Sequence, residues 1–314
     1  SRYYIDAGVG GLAVGVHTTQ IAIREHGLYQ PVLKLAADTA RQWTDRPVML
    51  IAGVSGKTEQ AKNEAITARK LGYHAALLNV AAFNDCSETE IIEHCREIAN
   101  EMPIIGFYLL PECGGRHLSY DFWRAFCQLD NVLGIKVAAF NRYGTINVVR
   151  ALVDTYKEEE ITLYTGNDDT IVHDLVMPFV VHRQCHGGSE SVTVRFKGGL
   201  LGHWSVWAKK AVALLARIHQ ESYQGMIPAD LLALDSIVTD SNAAIYDGKH
   251  QLAGCIPGCL SVLAKQGLLE HITCLDEKEK LSPGQQQEIE RVYQAYPELN
   301  DDAFVKENLA RWLS

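Results

Sequence analysis

Short apolar segments alternate with segments of helical periodicity along the first two thirds of the chain. The apolar segments are rich in Val, Ile, Leu and Ala, as strands buried on both faces are. Residues 57–71, 88–100 and 145–157 follow such segments and place apolar side chains at helical spacing. This alternation is typical of repeated βα units around a parallel sheet. The predicted strands are residues 12–16, 48–53, 75–79, 104–109, 133–138, 161–165 and 199–205.

The number and order of these strands favour a barrel. Seven strands in strict alternation, without a signal for a central reversal, suit a (β/α)8 TIM barrel better than a doubly wound sheet. A barrel of this kind closes with eight strands, and residues 2–7 have the pattern of a helix entering a glycine-rich turn. We therefore expect the first strand to precede residue 1.

The alternation ends after a helix predicted at residues 206–218. Pro and Gly then separate four segments with helical periodicity, which are residues 229–245, 259–266, 283–295 and 302–313. We predict a catalytic barrel over residues 1–219 and an all-helical C-terminal domain over residues 220–314.

Composition narrows the class of partner. The 314 residues are 47% hydrophobic and 21% charged, which is typical of a globular protein. A formal charge of −9 argues against nucleic acid or an anionic membrane as the partner and favours a small molecule. The eight cysteines do not form a dense framework, and no transmembrane run is present. Reduced thiols and a cytoplasmic location are expected.

Two motifs fail as ligand sites. Ser55-Gly-Lys-Thr58 resembles the end of a P-loop, but Ile51 stands where the first glycine of that motif is needed. His182, Cys185 and His186 are chemically competent zinc ligands, yet they supply only three side chains at a spacing unlike that of common zinc sites. We expect no metal site.

Lys136 is the unusual residue of the predicted strands. It lies in Leu-Gly-Ile-Lys-Val-Ala-Ala, near the end of an otherwise apolar strand, where a buried ammonium is costly unless it is paired or becomes neutral. The alternative is a lysine whose ammonium group reaches solvent at the barrel rim. The C-terminal ends of barrel strands form the active site, and a poorly solvated amine suits Schiff-base chemistry. Lys136 is therefore a candidate nucleophile.

Other polar side chains follow the predicted strand ends. Thr18 and Thr19 could bind a carboxylate, and Tyr108 could relay protons. Asn167 and His203 follow later strands and could bind substrate. Each also has a structural alternative, since threonines cap helices and strand tyrosines are usually core residues.

Motifs at these positions span nearly the whole chain. They are Gly-Val-His-Thr-Thr at 15–19, Phe-Tyr-Leu-Leu-Pro at 107–111, Gly-Ile-Lys at 134–136, Thr-Gly-Asn-Asp at 165–168 and Cys-Ile-Pro at 255–257. Together they resemble the dihydrodipicolinate synthase and N-acetylneuraminate lyase family. The resemblance implies a (β/α)8 barrel with a helical C-terminal domain, assembled as a homo-oligomer, a tetramer or a dimer. It also implies an enzyme that condenses or cleaves pyruvate or a related 2-oxo acid without a metal or organic cofactor.

Several positions depart from the family pattern. Gln20 and Ile21 stand where the family usually has Gly-Glu, and Val137 replaces a frequent Glu. Phe83 replaces a tyrosine that reaches a neighbouring subunit in the synthases. Arg116 is the candidate substrate-binding replacement for an arginine that usually lies nearer the Tyr-x-x-Pro segment. These changes argue against lysine-pathway synthase activity.

The resemblance gives the residues their expected roles. Lys136 is the amine nucleophile, Tyr108 the proton shuttle, and Thr18 and Thr19 hold the carboxylate. The predicted activity is that of a class I aldolase. A sugar-acid dehydratase using the same Schiff-base chemistry and a catalytically silent barrel that binds a keto acid are the alternatives.

Overall fold

Seven of the nine strands form one sheet, in which their order follows the chain. The computed structural model describes residues 1–314. The strands are β1 (Gly11–Val14), β2 (Met49–Val54), β3 (Ala75–Leu78), β4 (Ile104–Leu109), β5 (Val132–Ala138), β6 (Thr162–Thr165), β7 (Phe179–Cys185), β8 (Gly188–Val194) and β9 (Gly198–Gly199). The order in the seven-stranded sheet is β1-β2-β3-β4-β5-β6-β9. Its pairings from β2 to β6, and the pairing of β6 with β9, are parallel.

The helices alternate with these strands and then continue to the end of the chain. They are α1 (Arg2–Ala7), α2 (Tyr29–Trp43), α3 (Thr58–Lys70), α4 (Glu88–Ala99), α5 (Tyr120–Cys127), α6 (Arg142–Asp154), α7 (Ile171–Val176), α8 (Ala208–Ser222), α9 (Ala229–Ile245), α10 (Cys255–Lys265), α11 (Gln285–Ala295) and α12 (Asp302–Leu313). None has the length and apolar character needed to cross a bilayer.

Local chemistry explains where several helices begin. Ser87 and Glu90 form a reciprocal capping box at α4, and Ser119 caps α5 through the Phe122 N–H. The Asn141 side chain accepts from the Tyr143 N–H at 2.9 Å and so caps the N-terminus of α6, the helix that follows β5. Each of these caps lies in the turn between a strand and the helix that follows it.

Two parts of the chain differ from the predicted strands. The predicted strand at residues 199–205 is too long, because Gly202 takes a left-handed conformation (φ 46°) and a 3-10 turn covers Gly202–Ser205. An antiparallel hairpin of β7 and β8 was not anticipated. His182 and Cys185 lie in β7, and His186 lies in the turn between the two strands.

The chain divides into two compact units. One comprises Ser1–Leu50, Asp168–Val172 and Leu201–Ser314, and the other comprises Ile51–Asn167 and His173–Leu200. The second unit contains most of the parallel sheet, whose central strands are buried on both faces. In the first unit, the C-terminal helices enclose their own apolar cluster around Ile245, Val262 and Ile289.

The predicted boundary between residues 219 and 220 lies within α8, which continues to Ser222. That division of the chain stays a prediction. The helical C-terminal region itself is present, as α9 to α12 follow one another without a strand.

Candidate functional site

Strand register brings Lys136 beside two aromatic residues. Lys136 of β5 is aligned with Phe107 of β4 and with Tyr164 of β6, so the three side chains leave the same face of the sheet. The Lys136 Nζ lies 4.3 Å from the centroid of the Phe107 ring, within the range of a cation–π interaction. Lys136 is half-buried. The structure thus supports the predicted position of this lysine near the carboxyl end of a barrel strand.

The turn after β6 forms a wall beside the Lys136 side chain. The Gly166 N–H donates to the Val137 carbonyl at 2.6 Å, which holds the turn against β5. A Cβ on Gly166 would lie 3.0 Å from Lys136 Cε and 2.8 Å from Ala138 Cβ. Only glycine leaves room for the lysine at this contact.

A buried polar network supports this turn. The fully buried Asp174 carboxylate accepts from Thr165 Oγ1 at 2.7 Å, Asn167 Nδ2 at 2.8 Å and Arg142 Nη1 at 2.6 Å. Asn167 also donates from Nδ2 to Thr145 Oγ1 at 3.2 Å, and its Oδ1 accepts from the Phe140 N–H at 3.0 Å. Both Nδ2 hydrogens are therefore used, and Asn167 could donate to substrate from Nδ2 only by exchanging one of these hydrogen bonds.

The Tyr108 side chain leaves the face of the sheet opposite to that of Lys136. Its register partner is Val137, and its ring packs against Trp123 of α5 at 5.3 Å between centroids. A Cβ on Gly144 of α6 would lie 3.1 Å from the Tyr108 hydroxyl oxygen. Burial raises the pKa of this phenol. The structure does not bring Tyr108 together with Lys136, and its role as proton shuttle stays a prediction.

Arg116 is engaged with backbone carbonyls. Its Nη1 donates to Phe83 O at 3.4 Å, Asn84 O at 3.0 Å and Cys86 O at 2.6 Å. The guanidinium has five N–H groups, so these bonds do not exhaust its donors. Arg116 thus stabilises the segment that follows β3 by hydrogen bonds to its backbone. The predicted contact of Arg116 with substrate stays untested.

Thr18 and Thr19 lie in a 3-10 turn, His17–Thr19, that follows β1, and both are half-buried. The next residue, Gln20, has a left-handed φ of 65°. Its side-chain Oε1 accepts from the Leu275 N–H at 2.7 Å, and its Nε2 donates to Thr273 O at 3.3 Å. Gln20, noted from the sequence as a departure, therefore joins the threonine turn to a segment of the C-terminal region.

His203 is a buried histidine of the same unit. Its backbone N–H donates to Asn242 Oδ1 at 2.9 Å, and its Nδ1 lies 3.1 Å from the same oxygen. Burial lowers the pKa of His203 to about 4, so the ring is neutral near pH 7. The predicted binding of substrate by His203 stays untested.

Sequence reasoning missed two residues of this region. Tyr164 shares the face of Lys136, and its ring lies over Gly134, where a Cβ would be 3.5 Å from the Tyr164 Cε2. Burial raises the pKa of the Tyr164 phenol. Asp174 was also overlooked, although a carboxylate between the apolar pairs Ile171-Val172 and Leu175-Val176 is a recognisable signal of a buried, paired charge.

Comparison with known proteins places the chain in a family. The model of the dihydrodipicolinate synthetase family matches residues 1–180. The 4-hydroxy-tetrahydrodipicolinate synthase of Alkaliphilus oremlandii is 30% identical over 128 residues, which cover 40% of this chain and 42% of the relative. The enzyme of the same name from Archaeoglobus fulgidus is 26% identical over 192 residues, or 61% of this chain and 60% of the relative. The chain thus spans about half the length of the curated relatives it matches.

Solved structures resemble the chain over most of its length. The dihydrodipicolinate synthase of Aquifex aeolicus has a TM-score of 0.72 at 17% identity, covering 94% of this chain and 89% of that one. The enzyme of Cyanidioschyzon merolae has a TM-score of 0.73 at 18% identity, covering 94% and 88%. At these identities the likeness shows the fold alone. It confirms the predicted TIM barrel with a helical C-terminal extension.

Proposed function

Because the chain belongs to the dihydrodipicolinate synthetase family, we propose that it is a lyase whose Lys136 forms a Schiff base with pyruvate or a related 2-oxo acid. The observation that carries this proposal is the position of Lys136. Its amine lies near the carboxyl end of β5, above an aromatic ring and beside a glycine turn that leaves space for it. In TIM barrels this end of the strands carries the catalytic residues.

The reaction begins at the lysine Nζ. The neutral amine attacks the ketone carbon of the 2-oxo acid, and the resulting carbinolamine takes up a proton and loses one water to give an iminium. The iminium withdraws electrons from the adjacent carbon, which can then lose a proton to give an enamine. The enamine attacks an aldehyde to form a carbon–carbon bond, and the reverse sequence cleaves one. Hydrolysis of the imine returns the lysine amine.

The remaining roles are part of the proposal. Thr18 and Thr19 hold the substrate carboxylate through their hydroxyl and backbone N–H groups. A tyrosine transfers protons during carbinolamine dehydration, and two are candidates. Tyr108 is suggested by the sequence motif, and Tyr164 by its place on the face of Lys136.

Reductive trapping tests the nucleophile. The protein is mixed separately with pyruvate and with each of a panel of other 2-oxo acids, and then treated with borohydride. It is digested, and the masses of the peptides are measured by mass spectrometry. We expect one label, on the peptide that contains Lys136, and no label in Lys136→Ala. Lys57→Ala is the matched control, because the Lys57 Nζ also lies over a phenylalanine ring, 4.4 Å from the Phe83 centroid.

The outcomes separate the candidate functions. Label on another lysine, or none across the panel, would contradict the Schiff-base proposal and favour a silent barrel. If trapping succeeds, analysis of the products separates aldol cleavage from loss of a hydroxyl group.

We also propose that the protein is a homo-oligomer, a tetramer or a dimer. Light scattering of the purified protein tests this proposal.

A further inference from the structure

Asp174 is the centre of the buried network beneath the turn that contacts Lys136. Its two carboxylate oxygens accept three hydrogen bonds, from Thr165, Asn167 and Arg142. Thr165 and Asn167 are the residues immediately before and after Gly166. One carboxylate therefore holds both sides of the glycine turn.

The same turn is fixed to β5 as well. The Gly166 N–H donates to the Val137 carbonyl, and the Asn167 side chain accepts from the Phe140 N–H. Phe140 has a φ of 48°, an uncommon conformation for a bulky residue that needs support from its surroundings. The network therefore fixes the chain on both sides of the turn and just after the strand that carries Lys136.

Charge explains why a carboxylate occupies this place. A fully buried carboxylate is costly unless it is paired and hydrogen-bonded, and the Arg142 guanidinium provides the opposite charge. Hydrogen bonds to an ionised acceptor are stronger than those between neutral groups. Asp174 thus holds the Thr165 hydroxyl and the Asn167 amide more firmly than a neutral side chain of the same shape would.

We propose that Asp174 is a positioning residue for the Schiff-base lysine, acting through the Thr165–Gly166–Asn167 turn that confines the Lys136 side chain. The inference rests on the proposed function of Lys136. Asp174 itself contacts neither the amine nor the substrate. Its loss should leave Lys136 able to form the imine but slow the step, because a loosened turn no longer holds the amine in its attacking position.

The test measures the rate of imine formation and its extent separately. Enzyme and pyruvate are mixed for increasing times, quenched with borohydride, and the labelled fraction of the Lys136 peptide is determined at several pyruvate concentrations. For Asp174→Asn we expect the maximal rate constant to fall about 10-fold to 100-fold. The final labelled fraction and the half-saturating pyruvate concentration should stay close to those of the wild type. A merely structural role would lower the labelled fraction, through loss of folded protein, and leave the rate constant of the folded molecules unchanged.

Asp247→Asn is the matched control. Asp247 is also buried, and its Oδ2 accepts from the Gly254 N–H and the Ser282 hydroxyl in the C-terminal region. This variant should lose thermal stability and keep the wild-type rate constant. Thr165→Val provides a second test if Asp174→Asn folds poorly, since it removes one of the three hydrogen bonds and should lower the same rate constant to a smaller extent.

The possible failures are distinguishable. A wild-type protein that is never labelled refutes the proposed function, and the positioning role with it. A labelled wild type together with an unchanged rate constant in both network variants refutes the positioning role alone. An equal loss of rate in the Asp247 control would also refute it, because the effect would then follow from general destabilisation.

Discussion

Replacing Gly166 by alanine adds one methyl group at a position with too little room for it. The methyl carbon would lie 3.0 Å from Lys136 Cε and 2.8 Å from Ala138 Cβ. Carbon atoms in contact prefer separations of about 3.5–4.0 Å, so the lysine contact is short by about 0.5–1 Å. The backbone does not forbid alanine, because Gly166 is not among the residues with positive φ. The strain must therefore be relieved by moving the turn or the Lys136 side chain.

This displacement sets the expected size of the effect. Overpacking of this kind costs about 1–3 kcal/mol of folding free energy. A displacement of about 1 Å at a reacting group can cost about 10²-fold in rate. We therefore expect Gly166→Ala to fold and to melt at a lower temperature than the wild type. Labelling of its Lys136 by pyruvate and borohydride should be slower than in the wild type by about 10-fold or more.

Gly10→Ala is the control for this measurement. Nothing lies within 4 Å of a Cβ on Gly10, and this residue also lacks a positive φ. Its labelling rate and melting temperature should match those of the wild type. A Gly166→Ala protein that labels as fast as Gly10→Ala would show that the turn does not confine the lysine, and the steric reasoning would be wrong.

Three further predictions concern other groups. Tyr108→Phe and Tyr164→Phe separate the two candidate proton shuttles, since the variant that loses the shuttle should lower turnover by about 10²-fold or more with little change in substrate affinity. If neither variant lowers turnover, proton transfer uses neither of these two tyrosines. Tyr3→Phe should destabilise the protein to urea by about 2–4 kcal/mol, because the buried Tyr3 hydroxyl donates to Asp301 at 2.8 Å and accepts from a backbone N–H; a loss below experimental error would contradict this. Finally, the pKa of His203 falls from 6.5 to about 4 on burial, so the unfolded chain takes up the proton first as the pH falls. Stability should decrease from pH 6.5 toward pH 4 by up to about 1.4 kcal/mol per unit from this residue, and His203→Gln should flatten the urea-derived slope.

The position of the candidate nucleophile could be predicted from the sequence because its signals are local. An apolar run of strand length that contains a single lysine identifies Lys136 without knowledge of any distant contact. The same holds for the helical periodicity of α9 and α12, whose bounds agree with the predicted segments 229–245 and 302–313. Local spacing also indicated that Thr18 and Thr19 follow a strand.

The partners of the lysine could not be predicted in this way. Tyr108 and Lys136 both lie near strand ends, and the sequence alone suggested that they face one site. The register of β4 against β5 pairs Lys136 with Phe107 instead, and a shift of one residue reverses the face of every side chain in a strand. Register depends on how helices and strands pack across the whole unit, which no short segment encodes.

The sequence by itself therefore determined the succession of βα units, the helical C-terminal region and the lysine at the end of its strand. Only the tertiary structure decided which side chains surround that lysine. Asp174 lies nine residues beyond Thr165 and 32 residues beyond Arg142, yet all three meet in one buried network. The physical reason is that periodicity and capping act within a few residues, whereas the face of a strand and the closing of a polar network are fixed by contacts between segments that are distant in the chain.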